Sequence, residues 1–99
     1  MNNLQKTKRI RLHGKALAEL NAKVHARDDS QCIICRKGVD PGEKAHHHPQ
    51  ASDKTDRIEC MVILCMKCHF EAHFGAVREM KRAVEEYLRG RHPDYWEGK

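Results

Sequence analysis

The stretch CMVILCMKCHFEAH, residues 60–73, changes its residue pattern in the middle, and that change decides the fold. Its first part, residues 60–64, is an apolar run of strand length. After Cys65 the spacing becomes helical, and we expect a short helix over residues 66–74 that breaks at Gly75. The stretch therefore predicts a strand that leads directly into a helix, with potential metal ligands at and beyond the junction.

Two cysteine pairs share the Cys-x-x-Cys spacing, in which both sulfur atoms can reach one ion. Structural zinc prefers four such ligands in a tetrahedron, with no open position for chemistry. We therefore predict a structural Zn²⁺ site at Cys32, Cys35, Cys65 and Cys68, whose removal should unfold the domain. The fifth cysteine, Cys60, is expected to be a small buried residue on the second strand.

Histidines suggest a second metal site. His69 and His73 are four residues apart, so both imidazoles lie on one face of the predicted helix. Three consecutive histidines end a predicted strand over residues 43–48. In that strand His46 and His48 would share one side, and His47 would take the other.

The loop between the two strands is polar and opens with Pro49, which predicts an antiparallel hairpin of residues 43–48 and 60–64 joined by residues 49–59. The remaining histidines stand apart from this cluster, and we expect them to be ordinary exposed residues: His13, His25 and His92.

The flanking segments predict helices around this core. Residues 1–11 form a basic arm, and residues 12–27 form an amphipathic helix. Residues 32–75 hold the metal-binding core, and residues 76–89 form a C-terminal helix that ends before Gly90, followed by an irregular tail. The buried stripe of the first helix is expected to consist of Leu12, Ala16, Leu17, Leu20 and Val24, and that of the last helix of Val77, Met80, Val84, Tyr87 and Leu88. We interpret residues 1–99 as one small α+β domain.

Composition and charge narrow the classes of partner and compartment. Lysine and arginine number 19 against 14 acidic residues, and the net charge of +5 favours a polyanion such as nucleic acid over a solvated basic surface without a partner. Only 39% of residues are hydrophobic, so we expect an additional cross-link, such as a bound metal ion, to stabilise the fold. Neither a secretory signal nor a membrane span is apparent, and we expect a cytoplasmic protein with reduced thiols and no membrane partner.

Residues 24–75 resemble the zinc-bearing HNH endonucleases. The resemblance is carried by VHARD at 24–28, the first cysteine pair, AHHHP at 45–49 and the stretch at 60–73. It implies a ββα-metal fold (the HNH or His-Me finger), in which a hairpin and a helix grip one divalent ion. It also implies cleavage of DNA phosphodiester bonds and a bacterial or phage-encoded protein.

The resemblance implies a role for each histidine. His46 matches a metal ligand followed by His47 as general base, and the helix ligands match His69 and His73. The frame with His47 as ligand and His48 as base stays open.

The chain departs from the family pattern at one position. Cys60 stands where the family has the asparagine that braces the loop near the base. We expect Asp53 or Asp56 to hold that loop instead, since a thiol is a weaker hydrogen-bond partner than an amide.

A divalent ion at this site would be Mg²⁺, Mn²⁺, Ni²⁺ or Zn²⁺. Basic residues are candidates for phosphate contacts: Lys8, Arg9, Arg11, Lys44, Lys54, Arg57 and Lys67.

The rival interpretation is a non-catalytic or degenerate zinc module that binds DNA or protein. A zinc deaminase is excluded, because no glutamate lies two residues after His46, His47 or His48. The sequence leaves the oligomeric state open, with a monomer favoured.

Overall fold

The computed structural model describes residues 9–50 and 54–98. The elements, in chain order, are α1 (Gly14–Asp28), β1 (His46–His47), a 3-10 turn (Ile58–Cys60), β2 (Met61–Val62), α2 (Met66–Phe74), α3 (Val77–Arg91) and α4 (Pro93–Trp96). The expectation of a small α+β structure with a two-stranded sheet is confirmed. Helix α2 has the bounds that the sequence predicts. Among the described residues, the helices are too short or too polar to cross a bilayer.

The hairpin is antiparallel as predicted, with His46 opposite Val62 and His47 opposite Met61, but both strands are much shorter than expected. At the end of the hairpin away from its connecting loop, backbone amides beside the strands bond to α1 instead of extending the ladder. The Ala45 amide donates to Asn21 Oδ1 at 2.7 Å, and the Ile63 amide donates to Asp28 Oδ2 at 3.0 Å. Helix α1 therefore holds the start of β1 and the end of β2.

Strand β2 lies between two clusters of buried side chains, and its alternation divides it between them. Met61 packs in one cluster with Val24 of α1, and Val62 packs in the other with Val84 and Leu88 of α3. Because both faces of β2 are covered, its run of apolar residues is continuous rather than alternating with polar ones.

Several sequence expectations about boundaries were wrong. Cys60 is buried as expected, but it ends the 3-10 turn before β2 rather than lying on the strand. Helix α3 continues through Gly90 to Arg91, and the tail expected to be irregular forms α4. Helix α1 begins at Gly14 rather than at residue 12, because the backbone of His13 is extended and Gly14 has a positive φ.

The predicted apolar stripe of α1 is only partly buried. Val24 is fully buried, whereas Leu12, Leu17 and Leu20 are half-buried and Ala16 is exposed. Leu17 lines an open cleft, which leaves it only half-buried, whereas Leu20 packs against the cluster that contains Val24. The stripe predicted for α3 lies against the core, with Met80, Val84 and Leu88 buried and Val77 and Tyr87 half-buried.

A buried charge cluster fastens the end of α1 to the rest of the molecule. The Arg27 guanidinium makes paired hydrogen bonds to Asp28, from Nε to Oδ1 at 2.7 Å and from Nη2 to Oδ2 at 2.9 Å. Arg27 also donates to the carbonyl oxygens of Ile58 and Met61. Asp28 accepts from the Tyr87 hydroxyl of α3 as well, and burial together with that hydrogen bond raises the pKa of Tyr87. Every member of the cluster has a partner, as buried charges require.

Two histidines expected to be exposed take part in the packing. His25 is buried, with Nδ1 3.1 Å from Ser30 Oγ and Nε2 2.8 Å from the Glu43 carbonyl oxygen. His92 is half-buried and accepts from Arg27 Nη1 at 3.1 Å. The Glu43 partner of His25 and the Arg27 partner of His92 come from distant segments, so the local sequence carries no sign of these two contacts. Only His13 is exposed as predicted.

Replacing Asp28 by asparagine should strongly destabilise the fold, because Arg27 would keep its buried charge without a counter-charge. We expect Asp28→Asn to lower the free energy of unfolding by about 3 kcal/mol, measured by urea denaturation in zinc-containing buffer. The neighbouring Asp29→Asn is the matched control, since the side chain of Asp29 is exposed. Its backbone is in the left-handed conformation, which asparagine tolerates. Equal stability of the two variants would show that the cluster does not hold the helix.

Candidate metal centres

The four cysteines of the two pairs converge on one point. Their sulfur atoms all lie within 4.8 Å of one another, and Cys35 Sγ is 3.6 Å from Cys65 Sγ. Zinc–thiolate bonds of about 2.3 Å in a tetrahedron place sulfur atoms about 3.8 Å apart. All four are free thiols, and all but Cys35 are buried. The donor set and its spacing fit one Zn²⁺, as the sequence predicts.

Local backbone hydrogen bonds shape each half of this cluster. Cys65 is the N-cap of α2, and its sulfur accepts from the Cys68 amide at 3.4 Å. At the first cysteine pair, the Arg36 amide donates to the Cys32 carbonyl oxygen at 2.9 Å. This hydrogen bond closes a turn in which the backbone of Arg36 is left-handed. An ion held here would tie the segment after α1 to the start of α2.

The thiols influence one another's ionisation. Burial acts to raise the pKa of Cys65, but hydrogen bonds from the Cys68 amide and the neighbouring thiols outweigh it and lower that pKa to about 7. Burial and the thiols of Cys32 and Cys65 raise the pKa of Cys68. One thiolate therefore forms readily and the next does not, a conflict that a bound cation would relieve because it stabilises every thiolate.

Three histidines converge on a second point. His46 comes from β1, and His69 and His73 come from α2. Their ring centroids are 4.8 to 5.3 Å apart, and Nε2 of His69 lies 3.1 Å from Nε2 of His73. Metal–imidazole bonds of about 2.1 Å place nitrogen atoms about 3.0 to 3.4 Å apart. The three nitrogen ligands therefore fit one divalent ion.

The electrostatics of this cluster favour neutral imidazoles, which are the form that binds metals. Burial, followed by repulsion from His69 and His73, lowers the pKa of His46 to about 3. Burial and the charge of His73 also lower the pKa of His69. At neutral pH the rings of His46 and His69 are therefore neutral, and each has a nitrogen lone pair for a cation.

His47, next to the first ligand, is held by a carboxylate. Its Nε2 lies 2.7 Å from Asp56 Oδ1, while Asp56 Oδ2 accepts from the Leu12 amide. Burial acts to raise the pKa of Asp56, but the hydrogen bonds from Leu12 and His47 prevail and lower it. Asp56 is one of the two residues expected to brace this loop, and the other, Asp53, lies outside the described residues.

His48 lies in a different environment. It is buried, its Nε2 is 2.9 Å from Glu85 Oε1 of α3, and its ring packs on Trp96 of α4. Strand β1 ends at His47, so strand alternation does not govern the position of His48. His46 and His47, which were expected to point apart, both line one cleft. This geometry places His46, rather than His47 or His48, with the helix histidines His69 and His73.

A cleft of about 640 Å³ opens beside the histidine cluster. Helix α1 forms one wall, and the histidines His46, His47, His69 and His73 form the other. Lys44 and Lys54 line its edge. The three-histidine cluster and His47 therefore line the same cleft.

The other predicted phosphate-binding residues are dispersed. Arg9, Arg11 and Lys67 are exposed, whereas Lys8 lies outside the described residues. Arg57 is half-buried, paired with Glu59 at 3.2 Å and stacked over the Tyr95 ring at 4.5 Å, so its charge serves the packing of α4. Sequence reasoning missed Asn21, which lines the cleft and holds the start of β1. The sequence feature that could have indicated Asn21 is its position as a polar residue beside the apolar stripe of α1.

Metal analysis should find two sites of different strength. We expect one tightly held Zn²⁺ per chain after dialysis and a second, weaker site that titrates with added Zn²⁺ or Ni²⁺. The His69→Ala/His73→Ala double variant should lose only the weaker site, because the thiolate cluster is untouched, and His13→Ala should lose neither. Cys65→Ser should lose the tight ion and unfold, whereas Cys60→Ala should keep it. A single binding site in the intact protein would rule out the three-histidine centre.

No protein-family model matches this chain, and neither does any curated protein or solved structure. The functional conclusion therefore depends on the residues and their geometry.

Proposed function

We propose that this protein is a metal-dependent endonuclease of the HNH type that hydrolyses phosphodiester bonds in DNA in a bacterial or phage-infected cytoplasm. The observation that carries the proposal is the convergence of His46, His69 and His73 beside His47, which Asp56 orients. An antiparallel hairpin followed by a helix supplies these residues, in the order that a ββα-metal core requires.

Asp56 gives His47 a defined tautomer. Because the pKa of Asp56 is lowered, its carboxylate is ionised at neutral pH and accepts the proton on Nε2 of His47. The other ring nitrogen, Nδ1, then keeps its lone pair and can take a proton from a water molecule. The hydrogen bond also fixes the ring plane, so the base is oriented before substrate binds.

The three imidazoles would hold the ion, with His46 anchoring it to the hairpin and His69 and His73 anchoring it to α2. When bound, a divalent ion supplies a Lewis acid that polarises the phosphate and stabilises the leaving oxygen. An all-imidazole donor set suits Zn²⁺ or Ni²⁺ better than Mg²⁺, which prefers oxygen ligands.

The charge of the chain supports a phosphate-rich substrate. Lys44 and Lys54 lie at the cleft, and Arg9 and Arg11 are exposed on the basic arm. With a net charge of +5, binding should be driven largely by backbone phosphates and weaken with salt. The rival, a zinc module that only binds DNA, needs the thiolate cluster and the charge but has no use for the second cluster or for the His47–Asp56 pair.

Removing the imidazole of His47 should nearly abolish cutting. In plasmid-nicking assays with Mg²⁺, Mn²⁺, Ni²⁺ or Zn²⁺, we expect His47→Ala to be at least about 100-fold slower than wild type, because general-base catalysis contributes that much. The exposed His13→Ala should cut at the wild-type rate. Equal cutting by wild type and His47→Ala would mean that the base is misassigned or that the activity is a contaminant.

Replacing Asp56 by asparagine should slow cutting without loss of metal. The amide keeps the shape of the side chain, but its NH₂ group must face either the Leu12 amide or Nε2 of His47, and the charge that fixes the tautomer of His47 is lost. We expect Asp56→Asn to reduce the nicking rate about 10- to 100-fold, as for other groups that orient a functional histidine. Asp94→Asn, an exposed carboxylate, is the control. An unchanged rate with a folded variant would show that His47 needs no such orientation.

A further inference from the structure

Helix α2 exposes an apolar face next to the metal-binding face. Met66, Phe70 and Phe74 follow one another at four-residue intervals and are 83%, 59% and 75% exposed. The rings of Phe70 and Phe74 contact each other with centroids 5.2 Å apart. Large apolar side chains exposed together in this way mark an interaction surface.

This face is continuous with the three-histidine cluster. Phe70 and Phe74 directly follow His69 and His73 in sequence, and the Phe74 ring lies 5.9 Å from the His73 ring. Lys67, one helical turn before Phe70, is exposed and brings a positive charge to the same surface. Aromatic rings beside a cation are the combination that binds stacked bases and their phosphates.

The cleft beside the histidines also has an apolar part. Its α1 wall is formed by Leu17, Ala18 and Ala22, with Met61 also lining the cleft. A double helix presents phosphates and sugars at its surface and keeps the faces of its bases stacked inside. An apolar wall this close to the reacting phosphate is instead matched by the exposed flat face of an unpaired base.

We propose that the substrate is an unpaired DNA strand, with one base against the α1 wall of the cleft and a neighbouring base stacked on Phe70 and Phe74. The inference deepens the proposed nuclease function and rests on it for the position of the scissile phosphate. The strand passes over the histidine cluster, so both apolar surfaces are used at once.

The test compares a fluorescently labelled thymidine oligonucleotide with its duplex, by anisotropy at one fixed salt concentration and without added divalent ion. We expect the single strand to bind at least about tenfold tighter than the duplex. The Phe70→Ala/Phe74→Ala variant should weaken single-strand binding about 5- to 150-fold, the equivalent of one stacked base, and leave duplex binding unchanged. Lys67→Ala should weaken binding to both DNAs equally, because a phosphate contact does not depend on pairing.

A second pair of variants tests the cleft. Ala18→Leu fills the cleft and should weaken single-strand binding, whereas Ala16→Leu makes the same change on the exposed face of α1 away from the cleft and should not. Zinc content and circular dichroism verify that each variant is folded.

Equal affinity for the two DNAs, or unchanged single-strand affinity in the phenylalanine variant, would overturn the inference even if the protein cuts plasmid. A fall in oligomeric mass of the phenylalanine variant without a change in affinity would also overturn it, since the face would then bind a second copy. Single-strand preference without cutting under any metal would instead defeat the nuclease proposal and leave the binding surface standing.

Discussion

The structure depends on how the start of helix α2 is held. The helix has only nine residues and would be marginal in isolation. Cys65 caps it, and Cys68 in its first turn joins Cys65, Cys32 and Cys35 in one cluster of sulfur atoms. Since His69 and His73 lie directly beyond that cluster, the same fixed helix orients both imidazoles. The four-cysteine cluster therefore also fixes the positions of the two helix ligands in the three-histidine cluster.

The hairpin must be held as firmly as the helix, because His46 comes from β1 while its partners come from α2. Two strands of two residues each cannot supply that rigidity themselves. The buried Arg27–Asp28 cluster supplies it by binding the backbone on both sides of β2 and the Tyr87 hydroxyl of α3. Because β2 is also covered on both faces, small displacements of His46 relative to α2 are opposed by core packing.

Short-range patterns predicted a large part of the fold and of the candidate site. The spacing of Cys65, Cys68, His69 and His73 depends only on helix periodicity, so the sequence was sufficient to place them on one helix. Strand lengths were overestimated, because Asn21 and Asp28 capture backbone amides that the sequence pattern assigned to the ladder. The burial of His25 could not be predicted either, since its partners include Glu43, 18 positions along the chain.

The sequence by itself determined the donor sets, because the kind and spacing of cysteine and histidine are local and metal coordination chemistry is selective. Only the tertiary structure decided which of three adjacent histidines lies with His69 and His73, and that Asp56 lies against His47. Strand alternation predicts opposite faces for His46 and His47, yet in the two-residue strand β1 both line one cleft. The three histidines have different environments because α1, α3 and α4 pack around the hairpin. His46 contacts the helix histidines, His47 contacts Asp56 and His48 contacts Glu85.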